Sequence, residues 1–262
     1  MEVNIFILCY NEAVLLPHTI NHYKKYLPSC KITIYDNEST DNSVNIAKKL
    51  GCDVISFSSN NVMNVHIQTQ IKKDCWKNIK EGWVIVIDMD EWLCVSEKDL
   101  IREKENGTTI IKGMGMNMVG KSKKCDLTDI NLHNITKCYY NPWLNKHVCF
   151  LPESIQEMNY DLGAHRVRPK GKIKYSKKHY IVKHMNCLGL DNYVDRIILR
   201  RDRSKTRREK FGVGKHYNKD KKQIISEYNS LLHSRKSRDI NNMVSDAWAQ
   251  KVKIRYTNLN FT

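Results

Sequence analysis

Val3 to Tyr10 is an apolar run that stops at the polar pair Asn11-Glu12, the pattern of a strand buried on both faces of a parallel sheet. From Leu15 to Leu27 the apolar positions Leu16, Ile20, Tyr23 and Leu27 recur at three- and four-residue steps, which predicts a helix with Pro17 tolerated in its first turn. Lys31 to Tyr35 predicts a second strand, ending in Asp36-Asn37. Ser39-Thr40-Asp41 then supplies N-cap chemistry for a helix carrying Val44, Ala47 and Leu50 and closed by Gly51. Cys52 to Phe57 reads as a third strand, Ile67 to Lys80 as a helix, and Trp83 to Ile87 as the most hydrophobic strand of the chain, running directly into Asp88.

Strand-helix alternation of this length specifies an α/β fold: a mostly parallel central sheet with right-handed crossovers, flanked by helices. Ligands of such sheets bind beyond the carboxyl ends of the strands. Asn11-Glu12, Asp36-Asn37 and Asp88-Met89-Asp90-Glu91 all fall on that edge, which makes it the expected site. The second half is less regular. Thr108 to Val119 reads as a strand with glycine interruptions, Cys138 to Phe150 and Gly171 to Lys183 as further strand segments, and Lys219 to Trp248 as a basic helical region.

Composition narrows the function classes. A chain of 262 residues with 41% hydrophobic positions has enough core for one sizeable α/β domain with an appendage. The net charge of +16 suits phosphorylated ligands, polyanions or acidic membrane faces. No zinc knuckle or recognition helix accompanies it, so nucleic acid is not the expected partner. The nine cysteines form no C-x-x-C pair, which points to reduced thiols rather than a disulfide frame or zinc site. The N-terminus lacks a basic region, and no apolar run approaches the roughly 18 to 20 residues that span a bilayer, so a cytoplasmic protein is expected.

Asp88 and Asp90 lie two positions apart past a strand and can share a face, and a local turn can bring Glu91 round to them. Hard carboxylate oxygens suit Mg²⁺ or Mn²⁺, and such an ion typically leaves positions open to substrate phosphates. The alternative is that acidic residues merely end a strand.

The segments Leu8-Cys9-Tyr10-Asn11-Glu12, Ile34-Tyr35-Asp36-Asn37-Glu38-Ser39-Thr40-Asp41 and Val86-Ile87-Asp88-Met89-Asp90-Glu91-Trp92-Leu93 together resemble the family-2-like GT-A glycosyltransferases, in particular the branch with D-N-x-S-x-D and D-x-D-E motifs. Asn145-Lys146, Leu162-Gly163-Ala164-His165, Val182-Lys183-His184 and Gly212-Val213-Gly214-Lys215-His216-Tyr217 fit the same branch, so the resemblance spans roughly the first 217 residues. It implies a GT-A domain over 1–217, with a Rossmann-like nucleotide-sugar half (1–107) and an acceptor side (108–217), followed by a basic helical extension (218–262). The implied activity is metal-assisted, inverting transfer of a sugar from a nucleotide-diphosphate donor, such as a UDP-sugar, to a glycan, protein or lipid hydroxyl.

Carried over by residue, Tyr10, Asn11 and Glu12 would line the nucleotide pocket, with Asp36 near the base or ribose and Gln70 and Lys73 reaching in from the third helix. Asp41 reads instead as an N-cap. Asp88 and Asp90 would serve the donor and the metal. A late histidine would complete the metal set, with His165 ahead of His184, which is left for the diphosphate. Lys146, Arg203 and His216 would also meet the diphosphate; the run containing Arg196, Arg200, Arg201, Arg203, Lys205, Arg207 and Arg208 otherwise reads as a solvated helix face. Glu157 and Asp161 are the candidates for the general base, with Glu91 as a third, and surface solvation is their ordinary alternative. Two rivals stand beside this reading. A sugar nucleotidyltransferase is disfavoured because Cys9-Tyr10-Asn11-Glu12 is not a glycine-rich triphosphate loop. A basic nucleic-acid-binding protein would need no divalent ion. The basic C-terminal helices also permit contact with an acidic membrane surface.

Overall fold

The computed structural model describes residues 1–120, 127, 130–205, 218–234 and 236–242. Arg207, Arg208, the Gly212–Gly214 pair, His216 and residues 243–262 lie outside them.

The first part follows the periodicity. Strands β1 (Val3–Cys9), β2 (Cys30–Asp36), β3 (Asp53–Ser56) and β4 (Trp83–Asp88) alternate with helices α1 (Leu16–Tyr26), α2 (Ser43–Lys49) and α3 (Val65–Asp74). The strands pair in parallel in the order β3-β2-β1-β4. Alternate residues of β1 and β4 serve opposite faces, as the pleat requires. Ile5, Ile7, Ile85 and Ile87 pack with Leu16, Ile20 and Tyr23 of α1 on one face, while Phe6, Val84 and Val86 pack with Trp76 and Phe150 on the other. Helix α3 ends at Asp74, short of the predicted Lys80.

Beyond β4 the sheet becomes mixed. The short β5 (Glu91–Leu93) leads to α4 (Glu97–Glu105), whose start is fixed by a capping box between Ser96 and Asp99. Strand β6 (Ile110–Val119) meets β7 (Lys137–Tyr140) and β8 (Cys149–Phe150) antiparallel along one edge, and it pairs in parallel with β11 (Tyr175–Cys187). The predicted strand from Cys138 to Phe150 is thus two strands. Pro142 opens a 3-10 turn over Pro142–Leu144, and the chain from Asn141 to Lys146 crosses β6 where Gly113 and Gly115 leave room. A Cβ on Gly113 would stand 2.2 Å from the Lys146 carbonyl oxygen, so the glycine interruptions in β6 are what let Lys146 approach. β9 (Ile155–Glu157) and β10 (Lys170–Gly171) form a separate ribbon.

Helix α5 (Leu190–Arg203) packs its Tyr193, Val194 and Ile197 with Tyr228 and Ile224 of α6 (Lys221–Leu232). The helical region predicted over Lys219–Trp248 gives α6 and then β12 (Arg238–Asp239), which adds to β7. The eight cysteines among the described residues carry no disulfide. No described helix is long and apolar enough to cross a membrane.

Candidate functional site

The polar strand ends converge as expected. After β1 the chain turns through Asn11, whose φ of 50° is left-handed, and the turn is held from the neighbouring strand end: Ser39 Oγ accepts from Asn11 N at 2.9 Å, and Asn11 Oδ1 accepts from Thr40 N at 2.7 Å. Asp41 accepts from Ala13 N at 3.0 Å and from Ser43 N at 2.9 Å, but the N-cap of α2 is Asn42, so Asp41 ties the turn after β1 to the start of the helix and is not its cap. Much of the Asp36–Asp41 element is therefore scaffold. Asp36 differs: it is buried, its Oδ2 accepts from Ser39 N at 3.0 Å, and its Oδ1 has no partner among the described residues.

The acidic cluster at the end of β4 is enclosed by cations. Lys72 of α3 reaches Asp88 at 2.6 Å, and Lys146 lies between Asp88 at 3.0 Å and Glu91 at 2.7 Å. Arg196 pairs with both Glu12 and Asp90, the latter at 2.8 Å, and Arg200 meets the same Asp90 oxygen at 3.0 Å. Burial works against ionisation of Asp88, but Lys146 and Lys72 hold its carboxyl well below the usual range. Asp90 is likewise held low against burial by the cations around it, the Arg196 and Arg200 guanidiniums among them. Burial lifts the Glu12 carboxyl above its ordinary value despite Arg196.

His184 arrives by register. It sits opposite Glu91 in the β11–β5 pairing and beside Asn117 of β6. Asn117 donates its Nδ2–H to the Tyr139 hydroxyl at 2.6 Å, so its Oδ1 accepts from His184 Nδ1–H at 3.0 Å. The other ring nitrogen, Nε2, then carries the lone pair and faces Asp90 at 3.6 Å. Burial depresses the imidazole's pKa, which favours the neutral form. Among the described residues, Asp90, Glu91 and His184 bring one ligand atom each within 4.8 Å of one another. His165 is not in that group, although it lies within electrostatic reach of Lys146, Asp88 and Lys72. The expected order of the two histidines is the reverse of this geometry. Asp88, expected to share the metal, is instead held by two lysines.

The remaining expectations divide. Arg203 stacks its guanidinium 3.3 Å above the Tyr10 ring and donates to Asn37 Oδ1 at 2.6 Å, so it meets the chain just past β1 and β2 and not the acidic cluster. Gln70 donates to Asp74 along its own helix, and Lys73 neighbours the residue that does reach in, Lys72. Glu157 pairs with Lys77, and Asp161 with Arg168 at 2.7 Å, whereas Glu91 lies in the cluster. Lys72 is not among the residues expected from the sequence, and Arg196 and Arg200 stand behind Arg203 there. Their signal was spacing: Lys72 lies in the buried stripe Thr69-Lys72-Trp76, and Arg196, Arg200 and Arg203 recur at four and three residues. Arg196, Arg200 and Arg203 turn inward to their partners and do not form a solvated face.

Residues 4–94 match the family described as Glycosyl transferase family 2. The match is confined to this stretch. It runs from β1 through β5, about a third of the chain, and it ends before Lys146, His184, Arg196 and Arg200. A curated relative, Protein RfbJ of Shigella flexneri, is 34% identical over 55 residues, which is 21% of this chain and 43% of that protein. The match therefore spans under half of the relative's length. Among solved structures, S. aureus TarS 1-349 aligns with a TM-score of 0.42 at 12% identity, covering 98% of this chain and 78% of that one. Mycobacterium tuberculosis glucosyl-3-phosphoglycerate synthase, in a complex with Mn²⁺ and UDP, aligns with a TM-score of 0.31 at 15% identity, covering 44% of each chain.

Proposed function

We propose that the protein is a glycosyltransferase that moves a sugar from a nucleoside-diphosphate donor, such as a UDP-sugar, to an acceptor hydroxyl with the help of Mn²⁺ or Mg²⁺. The observation that carries this reading is the buried carboxylate pair Asp90-Glu91 at the end of β4, inside the family 2 stretch, with the Nε2 lone pair of His184 facing it. The donor set fits such an ion: two hard carboxylates and a neutral imidazole whose orientation is fixed by Asn117, the usual arrangement behind a histidine ligand. When bound, the ion supplies Lewis-acid stabilisation of the departing diphosphate.

The chain's own residues do the rest. Asp36 Oδ1, buried and without a partner among the described residues, accepts a base N–H or ribose hydroxyl, and the Tyr10 ring with Arg203 stacked on it stands just past β1. Lys72 and Lys146 keep Asp88 ionised and fixed next to the donor sugar. Of the candidate bases, Glu91 is buried against Lys146, and Glu157 is held by Lys77 on β9. Asp161 heads the turn that carries His165, and its partner Arg168 is largely exposed. An exposed pair of this kind exchanges readily, so Asp161 takes the acceptor proton in this reading and the transfer proceeds with inversion. Residues 1–107 supply the nucleotide pocket and the carboxylates of the donor site, and 108–217 carry the acceptor side while adding Lys146, His184, Arg196 and Arg200 to the ion cluster. A reducing, cytoplasmic setting suits the eight described cysteines without disulfides.

The test is calorimetric titration of UDP and other nucleoside diphosphates with and without Mn²⁺, followed by a panel of nucleotide sugars. Asp90→Ala is expected to stay folded and lose Mn²⁺-dependent binding. Wild-type Mn²⁺ dependence in the folded variant overturns the reading. Asp161→Asn is expected to keep that binding and lose transfer; retained transfer removes Asp161 as the base.

A further inference from the structure

Four carboxyl groups, Glu12, Asp88, Asp90 and Glu91, face four cations, Lys72, Lys146, Arg196 and Arg200. The partners of Asp90 matter most. Its Oδ2 accepts from Arg196 Nη2 at 2.8 Å and from Arg200 Nη2 at 3.0 Å, and this same oxygen faces His184 Nε2. An ion held between Asp90 and His184 needs the lone pairs that the guanidiniums are using. Displaced from Asp90, Arg196 keeps only Glu12, on its other amino group, and Arg200 loses the carboxylate it shares with Arg196. Arg196 in particular has a side chain only 10% exposed, and its Nε is buried with no partner among the described residues, so it cannot turn to water without cost.

A nucleoside diphosphate supplies what is then missing. It brings about three negative charges when free, and about two when sugar-linked, to a site where the ion has just added two positive ones, and phosphate oxygens accept the parallel N–H bonds of a guanidinium. Arg196 and Arg200 stand one turn apart on α5, and Arg203, one turn further on, already lies over Tyr10 at the nucleotide edge. One helix face thus runs from the ion ligands to the nucleotide pocket.

We infer that Arg196 and Arg200 are diphosphate-binding residues that exchange partners: they hold Asp90 in the ion-free protein and pass to the donor's phosphates when a divalent ion takes Asp90. The inference rests on the assignment of Asp90 as an ion ligand under the proposed function. Ion and nucleotide binding are then coupled, each tightening the other by the same factor. Ion alone binds weakly, because it must strip two guanidiniums that gain nothing in return.

Three titrations on the full chain test this, using Mn²⁺ alone, UDP alone and UDP with saturating Mn²⁺. Arg200→Ala is the chief variant, since its side chain is 26% exposed and its loss leaves Arg196 on Asp90. Relative to wild type, Mn²⁺ alone is expected to bind about tenfold more tightly, UDP with Mn²⁺ about tenfold more weakly, and UDP alone unchanged, within the range usual for coupled sites. Opposite signs in the first two titrations with no change in the third are the signature of exchange. A guanidinium acting only through its positive charge would weaken UDP equally with and without Mn²⁺, and that result overturns the inference. So does Mn²⁺ affinity that is unchanged or reduced in Arg200→Ala. Arg200→Lys, which retains the charge but not the fork, guards against a folding artefact and should fall between. Asp90→Ala separates the two levels: if it binds Mn²⁺ like wild type, the ion site itself is misassigned, whereas loss of Mn²⁺ binding there together with a flat Arg200→Ala response removes the exchange alone.

Discussion

The carboxylates of the site and the cations that surround them come from different parts of the chain and are held in different ways. Asp36, Asp88, Asp90 and Glu91 stand at or just beyond the ends of parallel strands within the family 2 stretch, where the ladder fixes their position. Lys146, His184, Arg196 and Arg200 arrive from outside that stretch, Arg196 meeting Asp90 across 106 residues and Lys146 meeting Asp88 across 58. Their placement depends on tertiary packing: a loop crossing two glycines, the register of a 13-residue strand, and one helix face. The acidic half of the site is therefore set locally and its counter-charge is set globally. Lys72 is the exception, a cation within the family stretch.

The sharpest way to break this comparison is to remove one cation from each part. Lys146→Met takes away the buried charge that serves both Asp88 and Glu91, and leaves the 3% exposed Glu91 carboxylate without its ion pair. Breaking a buried pair from one side costs about 3–5 kcal/mol, a large share of the roughly 5–15 kcal/mol that stabilises a domain, so urea denaturation should show a loss of that size. Lys72→Met leaves Lys146 on Asp88, whose side chain is 33% exposed, and should cost less than half as much. Equal losses would mean that the cations from the two parts are equivalent.

The same division explains what was legible in the sequence. Strand ends and their polar residues follow from a period of two and an apolar run, so the edge of the sheet and the D-x-D-E cluster could be read directly. The mixed character of the sheet beyond β4 could not, because no local pattern states which strand β6 will border. The choice between His165 and His184 turned on a register: His184 lies opposite Glu91 only because β11 pairs with β5 as it does, and a shift of one residue would point its ring to the other face. The arginine spacing on α5 was visible, but which carboxylate it would meet was not. The break at Pro142 was also available, since proline cannot continue a ladder, and the capping box Ser96-Glu97-Lys98-Asp99 announces α4 to anyone reading for it.

A second test concerns the family stretch alone and works through pH. His22 of α1 stacks on Trp92 at 4.8 Å between ring centroids, donates Nε2–H to the Leu93 carbonyl at 3.0 Å and has a buried Nδ1 with no partner among the described residues. Burial pushes its pKa down to about 3. Because the folded-state value lies below that of the unfolded chain, the unfolded state binds the proton first as pH falls. His22 therefore destabilises the fold increasingly from about pH 6.5 down towards 3, by about 2 kcal/mol at pH 5. Urea denaturation at pH 7 and pH 5 should show that loss, and His22→Phe should show about 2 kcal/mol less of it even if the variant is weaker at pH 7. A variant with the same pH dependence as wild type would assign the acid sensitivity elsewhere.

The smallest effect belongs to the boundary, two residues past the end of the family match. Ser96 caps α4: its Oγ accepts from Asp99 N at 3.2 Å, while Asp99 Oδ2 accepts from Ser96 N at 3.1 Å. Both bonds join residues three apart, so the cap belongs wholly to the local class of interaction although it contributes nothing to the ion cluster. Ser96→Ala removes one of the pair and should cost about 1 kcal/mol. Binding of UDP with Mn²⁺ should not change, because α4 carries none of the residues that meet Asp88, Asp90 or Glu91. A loss of that binding larger than the loss of stability would mean that the local frame transmits to the site, and that the separation between locally set acids and globally set cations is too clean.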